Sequence, residues 1–365
     1  MKGRDREMKK NTFLPSYTVG EEAYKEVKNI CEKYGKKVVF IGGKTALEKA
    51  SNLVRKELEN SNFEILDELW FGGEASYENA EKLKANKAVQ EADMIFAFGG
   101  GKCCDTCKVV TGDLKKPLFT FPTIAATCAS ITKVAAIYFP NGTFKEVYFK
   151  ETPPEHVFIN TKIIAEAPVK YLWAGIGDTL AKGYEPEFCS RNKEISFSDN
   201  FGVTMSKLCK ESLIQYGEKA LKDCEKNLVS VELEKTILTI IVTTGIVSNY
   251  LEMCYNSGVA HAVCYGFSTV KSVEEKHLHG ELVSYGVLVL LAMDNKYEEI
   301  KKLLPLYRSI NLPTTYKKFN LELNEMDGVF DKASSVKDIE VSAYEVTREM
   351  IYKAVLDLEK YVSKN

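Results

Sequence analysis

The chain has 365 residues, with 49 Lys+Arg against 51 Asp+Glu for a net charge of −2, and 45 % hydrophobic and 27 % charged residues. This length predicts two domains, each with enough apolar residues for a core, and the near-neutral charge removes the simplest case for a nucleic-acid partner. The most apolar stretch, 237–247, is interrupted by Thr239, Thr243, Thr244 and Gly245 and is too short for the ~20 residues of a membrane span, while the charged residues 1–11 carry no signal segment and ten irregularly spaced Cys predict a reducing, cytoplasmic setting.

In chain order, residues 37–41 read as a buried strand, followed by Gly42-Gly43 and a helix over 45–59. Residues 63–70 are a second strand, 77–90 a helix, 94–98 a third strand running into Gly99-Gly100-Gly101, and 117–123 a fourth. Strands alternating with helices of this length predict crossover units and a parallel sheet of the dinucleotide-binding type. After Pro168 the pattern is helical, with segments over 196–216, 231–255, 279–294, 297–310 and 342–362. The fold class is therefore α/β plus all-α, with a Rossmann-like domain over 1–166 and a helical domain over 167–365.

Three positions carry candidate metal chemistry. Asp178 lies in Ala174-Gly175-Ile176-Gly177-Asp178, which reads as a glycine-rich helix entry, His261 lies in Gly258-Val259-Ala260-His261, and His279 follows 18 residues later. One carboxylate and two imidazoles leave coordination positions open, as a catalytic rather than a closed structural site does. Taken singly, the Asp suits a helix cap and each His a core or surface role. The glycine run followed by Lys102 suits a phosphate cradle, because glycines admit close backbone approach and the next helix supplies free N–H groups, but it equally suits a tight turn.

Phe98-Gly99-Gly100-Gly101-Lys102 with Asp105-Thr106-Cys107-Lys108, Phe121-Pro122-Thr123-Ile124-Ala125-Ala126-Thr127, Ala174–Asp178 and the His261/His279 pair together resemble the metal-dependent, or iron-containing, alcohol dehydrogenases, and within them the glycerol dehydrogenase branch. The resemblance runs from about Tyr17 to the C-terminus. It implies an active site in the cleft between the two domains, a metal held by Asp178, His261 and His279, a pyrophosphate loop at Gly99, Gly100 and Gly101, and cofactor contacts at Thr123, Thr132, Val134 and Tyr138. The implied reaction is reversible hydride transfer between a nicotinamide and a CH–OH/C=O group, with Zn²⁺ or Fe²⁺ carrying the charge on the substrate oxygen. The family habit and the long apolar helices also predict a homo-oligomer.

The sequence departs from the glycerol dehydrogenase pattern at several positions. Where that branch carries an Asp for the polyol, this chain has Cys128, and a thiol accepts hydroxyl hydrogen bonds poorly. The substrate expected is therefore a 2-oxo or 2-hydroxy acid, with Lys133 a candidate carboxylate partner, and glycerol the competing one. Gly43 replaces an Asp that many NAD-using relatives carry, and Lys44 offers a partner for a 2′-phosphate, so the reading favours NADP over NAD. Cys264 stands where a second His often occurs, the Cys104-x-x-Cys107 pair lacks the second pair of a zinc ribbon, His277 is assigned to the surface or to the ligands' surroundings, and His156 is assigned to a loop. Competing readings are a glycerol-phosphate dehydrogenase, a 3-dehydroquinate synthase, which uses Glu where Asp178 stands, and a non-catalytic nucleotide-binding relative.

Overall fold

The computed structural model describes residue 14 and residues 16–365. Its strands are β1 (Tyr17–Val19), β2 (Lys37–Gly42), β3 (Glu64–Trp70), β4 (Met94–Phe98), β5 (Leu118–Phe121), β6 (Val134–Tyr138), β7 (Phe144–Phe149) and β8 (His156–Ile159). Six of them form one parallel sheet in the order β1-β8-β5-β4-β2-β3. The helices that position the site are α1 (Lys44–Leu58), α2 (Gly101–Leu114), α3 (Lys170–Lys182), α4 (Glu185–Ser190), α5 (Phe197–Cys224), α6 (Val259–Phe267), α7 (His279–Met293), α8 (Tyr297–Ser309) and α9 (Arg348–Lys364).

The central strands are buried on both faces, as parallel strands covered by helices are. Phe40, Phe96, Phe98, Phe119, Phe121 and Phe158 fill one face, with ring centroids 4.5 Å apart for Phe98–Phe121 and 5.0 Å for Phe121–Phe158. Val39, Ile41, Ile95, Ala97 and Leu118 fill the other. The alternation follows from the two-residue period of a strand. After β2 the chain runs outward to β3 and returns to β4 on the other side of β2, so strand order reverses between β2 and β4. A crevice forms beyond the carboxyl ends of strands at such a reversal.

Several elements differ from the sequence reading. The segment 77–90 is two helices, Tyr77–Lys84 and Lys87–Glu91, because Asn86 accepts N–H bonds from Ala88 and Val89 and restarts the helix. The segment 231–255 is likewise broken: after Val231–Leu238 the chain makes a π turn over Thr239–Thr243, where the Thr244 hydroxyl donates to Thr239 O. The last helix starts at Arg348 rather than 342, where the Thr347 side chain accepts from Met350 N–H. The β6–β7 hairpin, β1 and β8 have no counterpart in the sequence reading. His156 sits in β8 and not in a loop.

That His is 5 % exposed, with Ser16 Oγ 2.7 Å from Nδ1 and Thr18 Oγ1 2.8 Å from Nε2, tying β8 to β1 and the residue before it. Burial, and secondarily Lys33, push its pKa down to about 4. The unfolded chain therefore binds more protons between about pH 4 and the ordinary His value near 6.5. Its contribution is fully present above that window and is lost as pH falls through it, up to about 3 kcal/mol. Denaturant unfolding at pH 7.5 and pH 4.5 is expected to show this loss, and His156→Gln to reduce the pH dependence.

Candidate metal centre and dinucleotide crevice

The ends of β2 and β4 build the crevice. Gly43, the N-cap of α1, donates its N–H to Phe98 O at the end of β4. Gly99 has φ +151°, and a Cβ at Gly100 would lie 2.5 Å from Ile124, so a loop this close to 122–127 demands glycine. Gly101 opens α2, whose N-terminus faces the crevice with its free N–H groups. Thr127, Pro122, Ile124 and Ser130 line the same small hollow as Gly99, Gly100 and Gly101.

The remaining predicted cofactor positions are not equally free. Lys102 pairs with Glu74 at 2.7 Å, and Lys44 lies over the Trp70 ring. Thr123 is buried and Tyr138 packs against Phe144. Thr132 and Val134 are engaged from within by Lys108, whose fully buried ammonium donates to Asp105 Oδ1 at 2.9 Å, Thr132 Oγ1 at 3.2 Å and Val134 O at 2.5 Å. Asp105 Oδ2 in turn accepts from Ala136 N–H. This ion pair ties α2 to β6 and holds the 132–134 segment beside the glycine loop.

Asp178, His261 and His279 converge. One ligand atom from each lies within 4.8 Å of the others, and both imidazole Nε2 atoms approach Asp178 Oδ1, at 3.5 Å from His261 and 3.6 Å from His279. Those separations are too long for good hydrogen bonds. They match donors sharing one ion, since two bonds of about 2.0–2.1 Å at a tetrahedral angle put donor atoms about 3.4 Å apart. The donor set of one carboxylate and two imidazoles fits Zn²⁺ or Fe²⁺ alike.

Backbone contact places these groups. Asp178 lies in the interior of α3 and not at a helix entry. A Cβ on Gly280 would be driven into Ala174 O, one on Gly177 into Gly280 O, and one on Gly286 into Ala260 O. α3, α7 and α6 therefore cross main chain against main chain, which brings Asp178, His279 and His261 to one point. A Cβ on Gly175 would strike Ala125 O, so the same helix abuts the 122–127 loop of the sheet.

Glu185, which the sequence reading missed, orients one ligand. It is 0 % exposed; Oε2 lies 2.6 Å from His261 Nδ1, and Oε1 accepts from Gly258 N–H at 2.8 Å and His261 N–H at 2.9 Å. A carboxylate on Nδ1 leaves Nε2 unprotonated for a metal. The sequence carried no clear signal for it: Glu185 stands seven residues after Asp178, past the end of α3, and has a second carboxylate, Glu187, two residues on. Cys264 Sγ lies 3.4 Å from His279 Nδ1 and 3.8 Å from His279 O, a weaker neighbour than the carboxylate on His261. His277 instead pairs with Glu281, at 2.9 Å.

The electrostatics call for positive charge at this point. Burial disfavours ionisation of Asp178, yet His261 and His279 hold its carboxyl well below the usual range. Burial likewise disfavours charge on His261, but Glu185 and Asp178 outweigh it and push its pKa up to about 10; His279 is raised well above its ordinary value against the same burial, by Cys264 and Asp178. Nearby, Cys128 Sγ meets Ser248 Oγ at 3.8 Å; burial pushes its thiol up, with Lys182 the leading charge acting the other way. Lys133 is held through its backbone N–H to Asn249 Oδ1.

A family model described as iron-containing alcohol dehydrogenase matches residues 15–161. A glycerol dehydrogenase of Thermotoga maritima is 35 % identical over 270 residues, 72 % of this chain and 70 % of that protein. Hydroxycarboxylate dehydrogenase A of Escherichia coli is 30 % identical over 278 residues, 75 % of this chain and 76 % of the other. The crystal structure of glycerol dehydrogenase from Schizosaccharomyces pombe superposes with a TM-score of 0.87 at 24 % identity, covering 98 % of this chain and 92 % of that one, which establishes the fold. Among the described residues no helix is long and apolar enough to cross a membrane. The chain belongs to the iron-containing alcohol dehydrogenase family, in its glycerol dehydrogenase-like branch.

Proposed function

We propose that this chain reduces small 2-oxo acids to 2-hydroxy acids and runs the reverse oxidation, using NADP(H) in preference to NAD(H) and a divalent ion held by Asp178, His261 and His279. Membership of the family implies an alcohol dehydrogenase with a nicotinamide cofactor and a divalent metal. The observation that carries the substrate class is Cys128, a half-buried thiol against Ser248 whose burial favours the neutral form. A neutral thiol neither binds polyol hydroxyls as a carboxylate would nor repels an anion. The hydroxycarboxylate dehydrogenase relative supports the same choice, and the glycerol dehydrogenase relatives support the competing one.

In this reading each residue has a defined task. The glycine loop and the start of α2 bind the pyrophosphate. Glu185 fixes one imidazole and Cys264 contacts the other, and the helix crossings fix their distance from Asp178. The bound ion supplies a Lewis acid that stabilises negative charge on the substrate oxygen. The abutment of α3 on the 122–127 loop fixes the spacing of Asp178 from the glycine loop, and would thereby set how a substrate carbon meets a bound nicotinamide. The preference for NADP(H) rests on Gly43, which puts no carboxylate beside the ribose.

A screen of kcat/KM settles both choices. With Zn²⁺ or Fe²⁺ supplied, 2-oxobutyrate or 2-oxoglutarate is expected to exceed dihydroxyacetone by at least about 10-fold in the reduction direction; better turnover of the triose and of glycerol overturns the acid assignment. NADPH is expected to exceed NADH. Gly43→Asp should reverse that order, because a Cβ there has only Ala46 and Phe71 at 3.8 Å and room for the side chain.

A further inference from the structure

Lys182 is four residues beyond Asp178 on α3, so the two side chains leave the same helix face with Cβ atoms about 5–6 Å apart. It is 8 % exposed, and its ammonium donates to Asn256 O and, at 3.1 Å, to Asn256 Oδ1. It belongs to no ion pair among the described residues. Lys108, buried in α2, has Asp105, whereas Lys150, at 7 % exposure, is held by Thr152 O and Oγ1. A buried cation held only by neutral acceptors is costly, and such charges are ordinarily paired.

The surroundings of Lys182 indicate where its partner comes from. Asn256 also donates to Ser248 O at 3.3 Å, and Ser248 Oγ faces Cys128 Sγ. Lys182 is thus joined through Asn256 and Ser248 to the position that distinguishes this chain from a polyol-binding one. Charge counting gives the same result. A divalent ion held there would offset the two carboxylates Asp178 and Glu185, and would leave the Lys182 ammonium without a countercharge from either. From this we infer that Lys182 binds the carboxylate of the substrate, with its third N–H directed to that group while Asn256 holds the other two. The inference rests on the acid reading above and names the residue that selects the acid; Lys133, which the sequence offered as a candidate partner but which equally suits a solvated lysine, is not needed for it.

The test is a calorimetric titration of the metal-loaded enzyme carrying oxidised cofactor, so that no reduction takes place. The ligands are 2-oxobutyrate and its neutral counterpart 1-hydroxy-2-butanone. Wild type is expected to bind the acid at least about 10-fold more tightly, the value of a charge-assisted hydrogen bond. In Lys182→Met the acid should weaken by about 10- to 100-fold, with the neutral ketone changing less than about 3-fold. Equal weakening of both ligands would reduce Lys182 to a staple of the 251–256 turn and overturn the inference, as would an unchanged ratio. If Lys182→Met does not fold, the wild-type ratio alone decides, since equal affinity for acid and ketone leaves no role for the charge. Turnover separates this from the functional reading: an enzyme that binds acid through Lys182 yet prefers glycerol sinks only the substrate assignment, and one that turns over acid with the ratio intact in Lys182→Met sinks only the lysine.

Discussion

His261→Ala is expected to leave a folded protein that retains less than about a tenth of an equivalent of metal at micromolar concentration and loses at least about 10³-fold in kcat/KM. The figure follows from Lewis-acid stabilisation worth several kcal/mol, each 1.36 kcal/mol being tenfold in rate. His261 is the ligand whose other nitrogen is fixed by Glu185 and whose N–H is held by the same carboxylate, so its removal leaves Glu185 with only its backbone N–H donors and Asp178 with only His279. Glu185→Gln provides the graded case: the ligands stay, but the ring loses the carboxylate that sets its tautomer, and metal affinity or activity should fall about 10- to 100-fold. Metal analysis after gel filtration, together with rates at saturating Zn²⁺ or Fe²⁺, reads both. Full activity in His261→Ala would remove the ligand assignment altogether.

The second large effect concerns a residue with no side chain. Gly280→Ala puts a methyl group into Ala174 O, close to Asp178 N as well, and neither is a flexible side chain that can turn away. Overpacking of a core costs about 1–3 kcal/mol when side chains yield; here main chain must yield, so a loss at or beyond about 3 kcal/mol is expected, seen as a lower Tm and poor recovery of soluble protein. The separation of Asp178 and His279 should open at the same time, so whatever folds binds metal weakly. Gly43→Ala is the control, because its Cβ meets nothing closer than 3.8 Å. Equal Tm values for the two variants would show that the helix crossing is more yielding than its geometry indicates.

How much of this was legible beforehand depends on whether a feature is local. β4 was read at its observed limits, because Met-Ile-Phe-Ala-Phe is a continuous apolar run closed by glycine. The candidate ligands Asp178, His261 and His279 were read from spacing and from the family resemblance, and in the structure one donor atom of each lies within 4.8 Å of the others. β1 and β8 were not read; β1 is three residues long, and its partner lies 140 positions away. The π turn at Thr239–Thr243 interrupts a helix that hydrophobic periodicity alone continues, because periodicity carries no information on where a Thr hydroxyl competes for a carbonyl. Glu185, Lys182 and His156 were passed over because burial of a charged or titratable group depends on partners far along the chain, such as Gly258, Asn256 and Ser16.

The crossing of α3 and α7 has a further consequence for how such an enzyme changes over time. Main-chain contact has no rotamers and no alternative lengths, so the spacing of Asp178 from His279 admits almost no variation while Gly177 and Gly280 persist. Cys128, Lys182 and Ser248 are side chains, each replaceable without touching that crossing. If those side chains select the substrate as proposed, reaction and substrate lie in two heritable layers: a rigid one that conserves what is done to a carbon–oxygen bond, and a mutable one in which new molecules can be tried without putting the chemistry at risk.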